Sequence, residues 1–384
     1  MELRSTGDLG DIQQCSRCVY NSGVFPSLTF DSAGICSSCR EYDRVIQYRV
    51  HRGAKGAALL DERITEIKRQ GKGKEYDCII GVSGGTDSTY TAYLVKQLGL
   101  RPLAVHFDNG WNSELAVKNI HQSIAALEID LETYVMDWPQ FRDLQLAFLR
   151  ASTPDGEVPT DHAIGTLMWK SASKVGVRTI ISGMNYTTES ATDPIEWAYG
   201  HSDWRYIKDV HKKFGTMPIP DFPHFSLSEL LYINSVKRVR TMSVLNYIDY
   251  DKHDAQRVLA QELGWRDYGG KHHESIYTRF FQGYLLPKKF GIDKRYSHLS
   301  DLVRCGQISR EDALRELDSP PYDPELQLQD REYVCKKLGL SDSEFEGIMN
   351  QPIRSFHEFK NNFRNVYRMK RAVNVLRSRG LYDV

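Results

Sequence analysis

From residue 76 onward the chain alternates between two hydrophobic rhythms. Short, nearly uninterrupted apolar runs are followed by stretches in which apolar residues return every three or four positions. Cys78 to Val82 is the first run, and Tyr90, Tyr93, Leu94 and Leu98 recur at helical spacing behind it. Arg101 to Phe107 is a second run, followed by a helical stretch from Ser113 to Leu127. Leu131 to Met136 is a third, ahead of a Leu- and Phe-rich helix from Gln140 to Ala151. Thr160-Asp161-His162 then reads as the cap of a helix over 163–174, which feeds a fourth run, Arg178 to Ser182. Strands alternating with helices make βαβ units, and these predict a parallel sheet with right-handed crossovers. A run as continuous as Cys78–Val82 suits a central strand covered on both faces.

On either side the rhythm changes. Tyr42 to Gly73 is helical and charged, with Leu59, Leu60, Ile64 and Ile67 as its apolar positions, and it ends in Gly71-Lys72-Gly73-Lys74, a domain boundary. From Val244 a turn leads into an amphipathic helix closed by Gly264, and residues 297–384 read as charged helices broken at Gly306 and Pro320-Pro321.

Chemistry enters where the first strand breaks. Ser83-Gly84-Gly85-Thr86-Asp87-Ser88 joins that strand to its helix. Paired glycines let successive backbone N–H groups turn toward one anion at the positive end of a helix. Ser83, Thr86 and Ser88 add hydroxyls, and Asp87 is a candidate ligand for the Mg²⁺ that accompanies a polyphosphate. No Gly-Lys-Ser/Thr follows, which excludes the Walker type of phosphate loop. In a parallel sheet ligands bind beyond the carboxyl ends of the strands. That places Phe107 and Asp108, after the second strand, beside this loop; the fourth strand runs into Gly183-Met184-Asn185 and then the acidic Glu189, which resembles the loop that closes over the nucleotide in the N-type ATP pyrophosphatases and makes Glu189 a second candidate for Mg²⁺.

Cys15-Ser-Arg-Cys18 and Cys36-Ser-Ser-Cys39 form two Cys-x-x-Cys knuckles separated by 17 residues, the pattern of a closed tetrahedral zinc site. A segment of this size has little core of its own, so the metal replaces one, and the zinc is expected to be structural. Phe25, Phe30 and the turn Asp31-Ser32-Ala33-Gly34 suit a two-stranded ribbon between the knuckles. Further on, Gly269-Gly270-Lys271-His272 suits contact with polyphosphate or a charged substrate, and Lys271 is the residue expected to offset charge growing on departing pyrophosphate. Arg279, Lys294 and Arg295 are a candidate anion-binding group, and 192–223, rich in aromatic and charged residues, a candidate recognition segment.

The Ser83-Gly84-Gly85-Thr86-Asp87-Ser88 form resembles the PP-loop of the N-type ATP pyrophosphatases. The succession of knuckles, phosphate loop, Ser182-Gly183-Met184-Asn185, Gly264 to His272 and Phe280-Phe281-Gln282-Gly283-Tyr284 resembles the N-acetyl sugar amidotransferases of bacterial surface polysaccharide (LPS O-antigen) synthesis, the WbpG type, over nearly the whole chain. That resemblance implies an ATP-dependent enzyme converting an acetamido group on a sugar, expected to be UDP-linked, into an acetamidino group. It also implies ammonia from a separate glutaminase resembling the histidine-biosynthesis subunit, with a cyclase-like companion. ATP, Mg²⁺ and structural Zn²⁺ are the expected cofactors. The expected fold class is α/β, a parallel-sheet adenine nucleotide alpha hydrolase-like domain. The expected divisions are a zinc ribbon (1–50), a linker helix (51–75), the PP-loop domain (76–290) and a C-terminal helical region (291–384).

Charge and cysteine usage narrow the alternatives. Fifty basic residues balance fifty acidic ones, which gives no electrostatic reason to expect a nucleic-acid partner. No apolar run approaches the roughly 18 residues of a membrane span, so no membrane insertion and a cytoplasmic location are expected. The competing readings are a tRNA thiolation enzyme, a nucleotide-binding regulator without turnover, and a structural adaptor built on the zinc ribbon. Thiolation needs a reactive cysteine pair near the nucleotide, whereas Cys78, Cys305 and Cys335 are scattered.

Overall fold

Alternate residues of the central strand face two different cores, and this decides the architecture. The computed structural model describes residues 12–190, 194, 197–270 and 273–378. Its five strands are β1 (Cys78–Gly81), β2 (Pro102–Asp108), β3 (Asp130–Val135), β4 (Thr179–Ser182) and β5 (Arg240–Ser243). They pair in the order β3-β2-β1-β4-β5, and every pairing is parallel. On one face Ile79, Leu103, Val105, Phe107 and Ile180 pack with side chains of the helices Trp138–Ala151 and Val158–Val175. On the other, Cys78, Ile80, Ala104 and Ile181 pack with the helices Gly53–Gly71, Thr86–Gln97, Glu114–Ala126 and Lys252–Leu263. The result is an α/β/α sandwich built on an all-parallel sheet, with a four-cysteine ribbon before it and a helical region after it.

The edges of the sheet differ from the sequence reading. β5 carries no apolar run: all four of its residues are half-buried, so periodicity gave it no signal and Val244 falls just after it. β3, at the opposite edge, has its side chains mostly half-buried or exposed. The expected cap Thr160-Asp161-His162 lies inside the first turns of a helix that begins at Val158, with Pro159 in its first turn. The helical pattern read from Tyr42 to Gly73 covers the end of one helix, Ser37–Arg49, and all of a second, Gly53–Gly71, which falls within the expected linker 51–75. The expected ribbon reduces to isolated bridges, Gln14 with Asn21 around the first knuckle and Phe30 with Cys36 across the Asp31–Gly34 turn before the second.

The strand order reverses next to β1, where β2 lies on one side and β4 on the other. Such a switch point leaves a crevice beyond the strand ends. The chain returns to it late: residues 274–276 run antiparallel to 111–113, with Ser113 N donating to Glu274 O (2.8 Å) and Ile276 N to Trp111 O (2.9 Å). The helices Arg295–Cys305 and Arg310–Leu317 reach back to the ribbon, where Val19 packs with Leu299 and Ala313. Among the described residues no helix is long and apolar enough to cross a membrane.

Candidate active site

β1 ends at Gly81 and the chain turns over 83–85 into the helix Thr86–Gln97. Gly84 adopts φ +80°, and a Cβ there would lie 2.5 Å from the Ala116 carbonyl oxygen, so both conformation and space require glycine. Gly85 is the N-cap and offers no side chain to the first helical N–H groups. The amides of the turn and of the first helical residue find hydroxyls instead. Gly85 N donates to Ser83 Oγ (3.3 Å), Thr86 N to Tyr268 Oη (3.2 Å), and Ser83 N to Ser88 Oγ (3.2 Å). Trp265 Nε1 fixes the turn from behind by donating to Gly84 O (2.9 Å). Hydrogen bonds to an ionised acceptor are roughly twice as strong as neutral ones, so an incoming anionic oxygen can displace these hydroxyls.

The loop after β4 closes on the same turn. A Cβ at Gly183 would lie 3.0 Å from both Cα and N of Ser88, so glycine lets the two loops touch. Asn185 is fully buried, and its Oδ1 accepts from Thr188 N (2.8 Å) and Thr188 Oγ1 (3.0 Å), shaping the loop from inside. Asp87 accepts a short hydrogen bond from Tyr250 Oη. Burial first, then the Asp87 carboxylate, with Glu189 adding to it, drive the Tyr250 phenol well above the ordinary tyrosine range. Asp87 and Glu189 therefore act on one buried hydroxyl.

A cavity of about 590 Å³ spreads from the turn over the strand ends. Ser83, Ser88, His106, Phe107, Asn109 and Gly183 line it. Asp108 is absent from that lining; its Oδ1 accepts from Gly110 N (2.8 Å) within a tight turn. His106 Nδ1 donates to Val82 O (2.9 Å), leaving Nε2 to accept from Asn112 Nδ2 (3.2 Å). Burial lowers its pKa, so the ring is neutral at physiological pH. The lining also includes Asp155, Glu157, Asp161, His201 and Gln282. His201 Nε2 stands 2.8 Å from Asp155 Oδ2 and 3.4 Å from Asp161 Oδ2. Burial opposes its charge, but the two carboxylates outweigh burial and push its pKa up to about 9. Glu189 borders a smaller cavity of about 290 Å³, which shares Thr278, Gln282 and Lys294 with the larger one.

Of the expected cationic group, Arg279 is held bidentately by Asp330 (2.7 Å twice) and Arg295 by Asp293 (2.8 Å at the closest). Lys294 alone of the three lines both cavities. Lys271 lies outside the described residues. Of the recognition segment, Trp197, Ala198 and His201 reach the larger cavity.

Cys15, Cys18, Cys36 and Cys39 are fully buried, and their sulfurs lie within 4.8 Å of one another. Cys15 and Cys39 are 3.9 Å apart, Cys18 and Cys36 3.8 Å. Tetrahedral zinc with Zn–S bonds of about 2.3 Å would hold its sulfurs about 3.8 Å apart, so the four cysteines fit that ion. Backbone amides of Arg17, Cys18 and Cys36 donate to Cys15 Sγ, and that of Cys39 to Cys36 Sγ.

Comparison with known proteins adds three likenesses and one family match. Residues 274–373 match the family described as LPS biosynthesis protein WbpG-like, C-terminal domain. The uncharacterized protein MJ1599 of Methanocaldococcus jannaschii is 24% identical over 322 residues, which covers 82% of this chain and 96% of that one. The 7-cyano-7-deazaguanine synthase of Nitratiruptor sp. is 36% identical over 66 residues, 17% of this chain and 30% of that protein. Among solved structures, the NH3-dependent NAD synthetase of Campylobacter jejuni aligns with a TM-score of 0.29 at 14% identity, covering 74% of this chain and 96% of that one.

The matched segment begins at Glu274, where the chain pairs with residues 111–113 and joins the lining of the larger cavity. The three cysteines outside the knuckles are poor nucleophiles. Burial raises the thiol pKa of Cys78, of Cys305 and of Cys335, the last to about 11, whereas reactive cysteines sit where the thiolate is favoured.

Proposed function

We propose that this chain is the synthetase component of an ATP-dependent amidotransferase acting on the acetamido group of a nucleotide-linked sugar. The observation that carries the reading is the phosphate-loop turn, whose three backbone donors rest on neutral hydroxyls beside a cavity of about 590 Å³. The match of 274–373 to WbpG-like proteins of LPS biosynthesis supports the sugar as substrate.

An amide carbonyl is a poor electrophile with a poor leaving group, and adenylation remedies both. The amide oxygen attacks the α-phosphorus of ATP and pyrophosphate departs; ammonia then adds to the activated carbon, a proton is lost, and AMP leaves with the former amide oxygen, giving an amidine. Ser83 N, Gly85 N and Thr86 N exchange their hydroxyl partners for phosphate oxygens, and Phe107 borders the nucleoside. Asp87 and Glu189, which together bear on Tyr250, concentrate negative charge that suits a divalent cation; Mg²⁺ bound there would neutralise charge on the departing pyrophosphate. Lys271 is assigned a similar electrostatic role. Ammonia comes from a separate glutaminase subunit, with a cyclase-like companion.

The test is mass spectrometry of products after incubation with ATP, Mg²⁺, ammonium and a panel of UDP-linked acetamido sugars. AMP together with a sugar in which one oxygen has become NH is the expected result. ATP left intact with every sugar, with or without a glutaminase, would overturn the assignment.

A further inference from the structure

The four-cysteine site does not end at its sulfurs. Arg304, with none of its side chain exposed, donates from Nε to Cys39 Sγ (3.3 Å) and from Nη2 to Cys18 Sγ (3.7 Å). Its Nη2 also reaches Ser38 Oγ (2.8 Å), and its Nη1 donates to Asp301 Oδ1 at 2.8 Å. Asp301 is buried as well, and it accepts twice from Ser190: from N at Oδ2 and from Oγ at Oδ1, both 2.7 Å. Ser190 directly follows Glu189 on the loop that leaves β4. A parallel strap runs from the helix that carries Cys39, where Tyr42 Oη donates to Thr187 O (3.0 Å).

A buried ion pair is weak evidence for added stability, because the desolvation of both charges offsets their attraction. Orientation is the better explanation for this one. The guanidinium is a planar fork whose donors are divided between two sulfurs and a carboxylate, so the sulfurs fix its plane and its plane fixes Asp301. We infer that Arg304 and Asp301 are positioning residues that set the loop 184–190, and with it Glu189, from the metal site. Loss of the ion releases the sulfurs from one another and turns charged thiolate acceptors into weakly accepting thiols, which loosens the hold on Arg304, so the loop loses its register. This inference concerns the loop's position and does not depend on which reaction the site performs.

Hydrogen-exchange mass spectrometry on the full chain, zinc-loaded and after chelation, tests it. Chelation is expected to speed exchange in 184–190 about tenfold, the equivalent of one hydrogen bond to a charged group, while the Lys252–Leu263 helix keeps its protection. Ser190→Ala should speed exchange in the same segment of the zinc-loaded protein and add nothing once zinc is gone. Because coupling is reciprocal, Asp301→Asn should also weaken zinc affinity, measured by competition with a chromophoric chelator. A purely local role for Ser190 and Asp301 would leave zinc affinity where it is. Unchanged exchange in 184–190 after chelation, an equal effect of Ser190→Ala with and without zinc, or unaltered zinc affinity in Asp301→Asn would each overturn the inference. Should chelation unfold the chain globally, the affinity measurement alone decides.

Discussion

The cysteine ribbon and the phosphate loop solve the same local problem with opposite intent. Both bend the backbone so that amide N–H groups leave the main-chain ladder and meet side-chain acceptors, three of them on the single sulfur of Cys15 in the ribbon and three on separate hydroxyls in the loop. In the ribbon those amides meet sulfurs that belong to the chain itself, all fully buried, and the site is closed. In the phosphate loop they meet hydroxyls of Ser83, Ser88 and Tyr268, and the site opens on a cavity. The ribbon presents sulfurs that suit a resident ion, whereas the proposed nucleotide site presents neutral hydroxyls that a charged ligand can displace. The amides alone do not decide between the two outcomes; their resting partners do.

That contrast breaks most severely on the ribbon side. Cys36→Ser should abolish stoichiometric zinc and remove local folding energy on the order of 10 kcal/mol, seen as metal loss and rapid proteolysis within 12–50. On the open side, Gly84→Ala should cost about 1–3 kcal/mol of stability, since its methyl would press on Ala116 O at a left-handed φ. Displacement of the loop should lower ATP consumption about 100-fold, checked by a melting curve alongside a pyrophosphate-release assay. Tyr268→Phe sharpens the comparison because its sign is diagnostic. If the phenol only holds Thr86 N until phosphate arrives, its loss should destabilise the empty protein by about 1 kcal/mol and tighten ATP binding severalfold. Calorimetry showing weaker binding would mean that Tyr268 contacts the nucleotide directly.

The smallest expected effect lies on the far lining of the cavity. The pKa of His201 is raised to about 9, so its pairing with Asp155 and Asp161 contributes fully below the unfolded value near 6.5 and fades as pH rises through 9. His162 behaves in reverse. Its pKa is lowered to about 4 by burial, so its contribution is present above about 6.5 and is lost as pH falls toward 4. Melting temperature followed against pH should lose part of its alkaline decline in His201→Gln and part of its acid decline in His162→Phe.

What was legible in the sequence was contiguous. Cys15 with Cys18, Cys36 with Cys39, and Ser83 through Ser88 carry their geometry in their spacing, and the first four strands in the chain, with their helices, follow from periodicity. What was not legible is partnership across the chain. Tyr268 lies 182 residues from Thr86, Tyr250 163 from Asp87, and His201 46 from Asp155. Nothing in a single sequence marks a tyrosine as the partner of one particular amide. The same limit explains the arginines. Arg279 and Arg295 looked available to an anion because Asp330 and Asp293 could not be assigned to them, and Arg304 carried no signal at all. Weak strands fail for another reason: β5 sits at the sheet edge, where no continuous apolar run is required. Pro159 was the usable signal for the earlier helix start.

Arg304 also has a consequence for synthesis. It meets Cys39 across 265 residues and Cys18 across 286. At about 5–20 residues per second, a ribosome makes that intervening length in roughly fifteen seconds to a minute. Throughout that interval the nascent ribbon has its thiols but not the guanidinium that later covers them. The cell must therefore supply zinc early, or keep the thiols reduced, until the C-terminal helices emerge and seal the site.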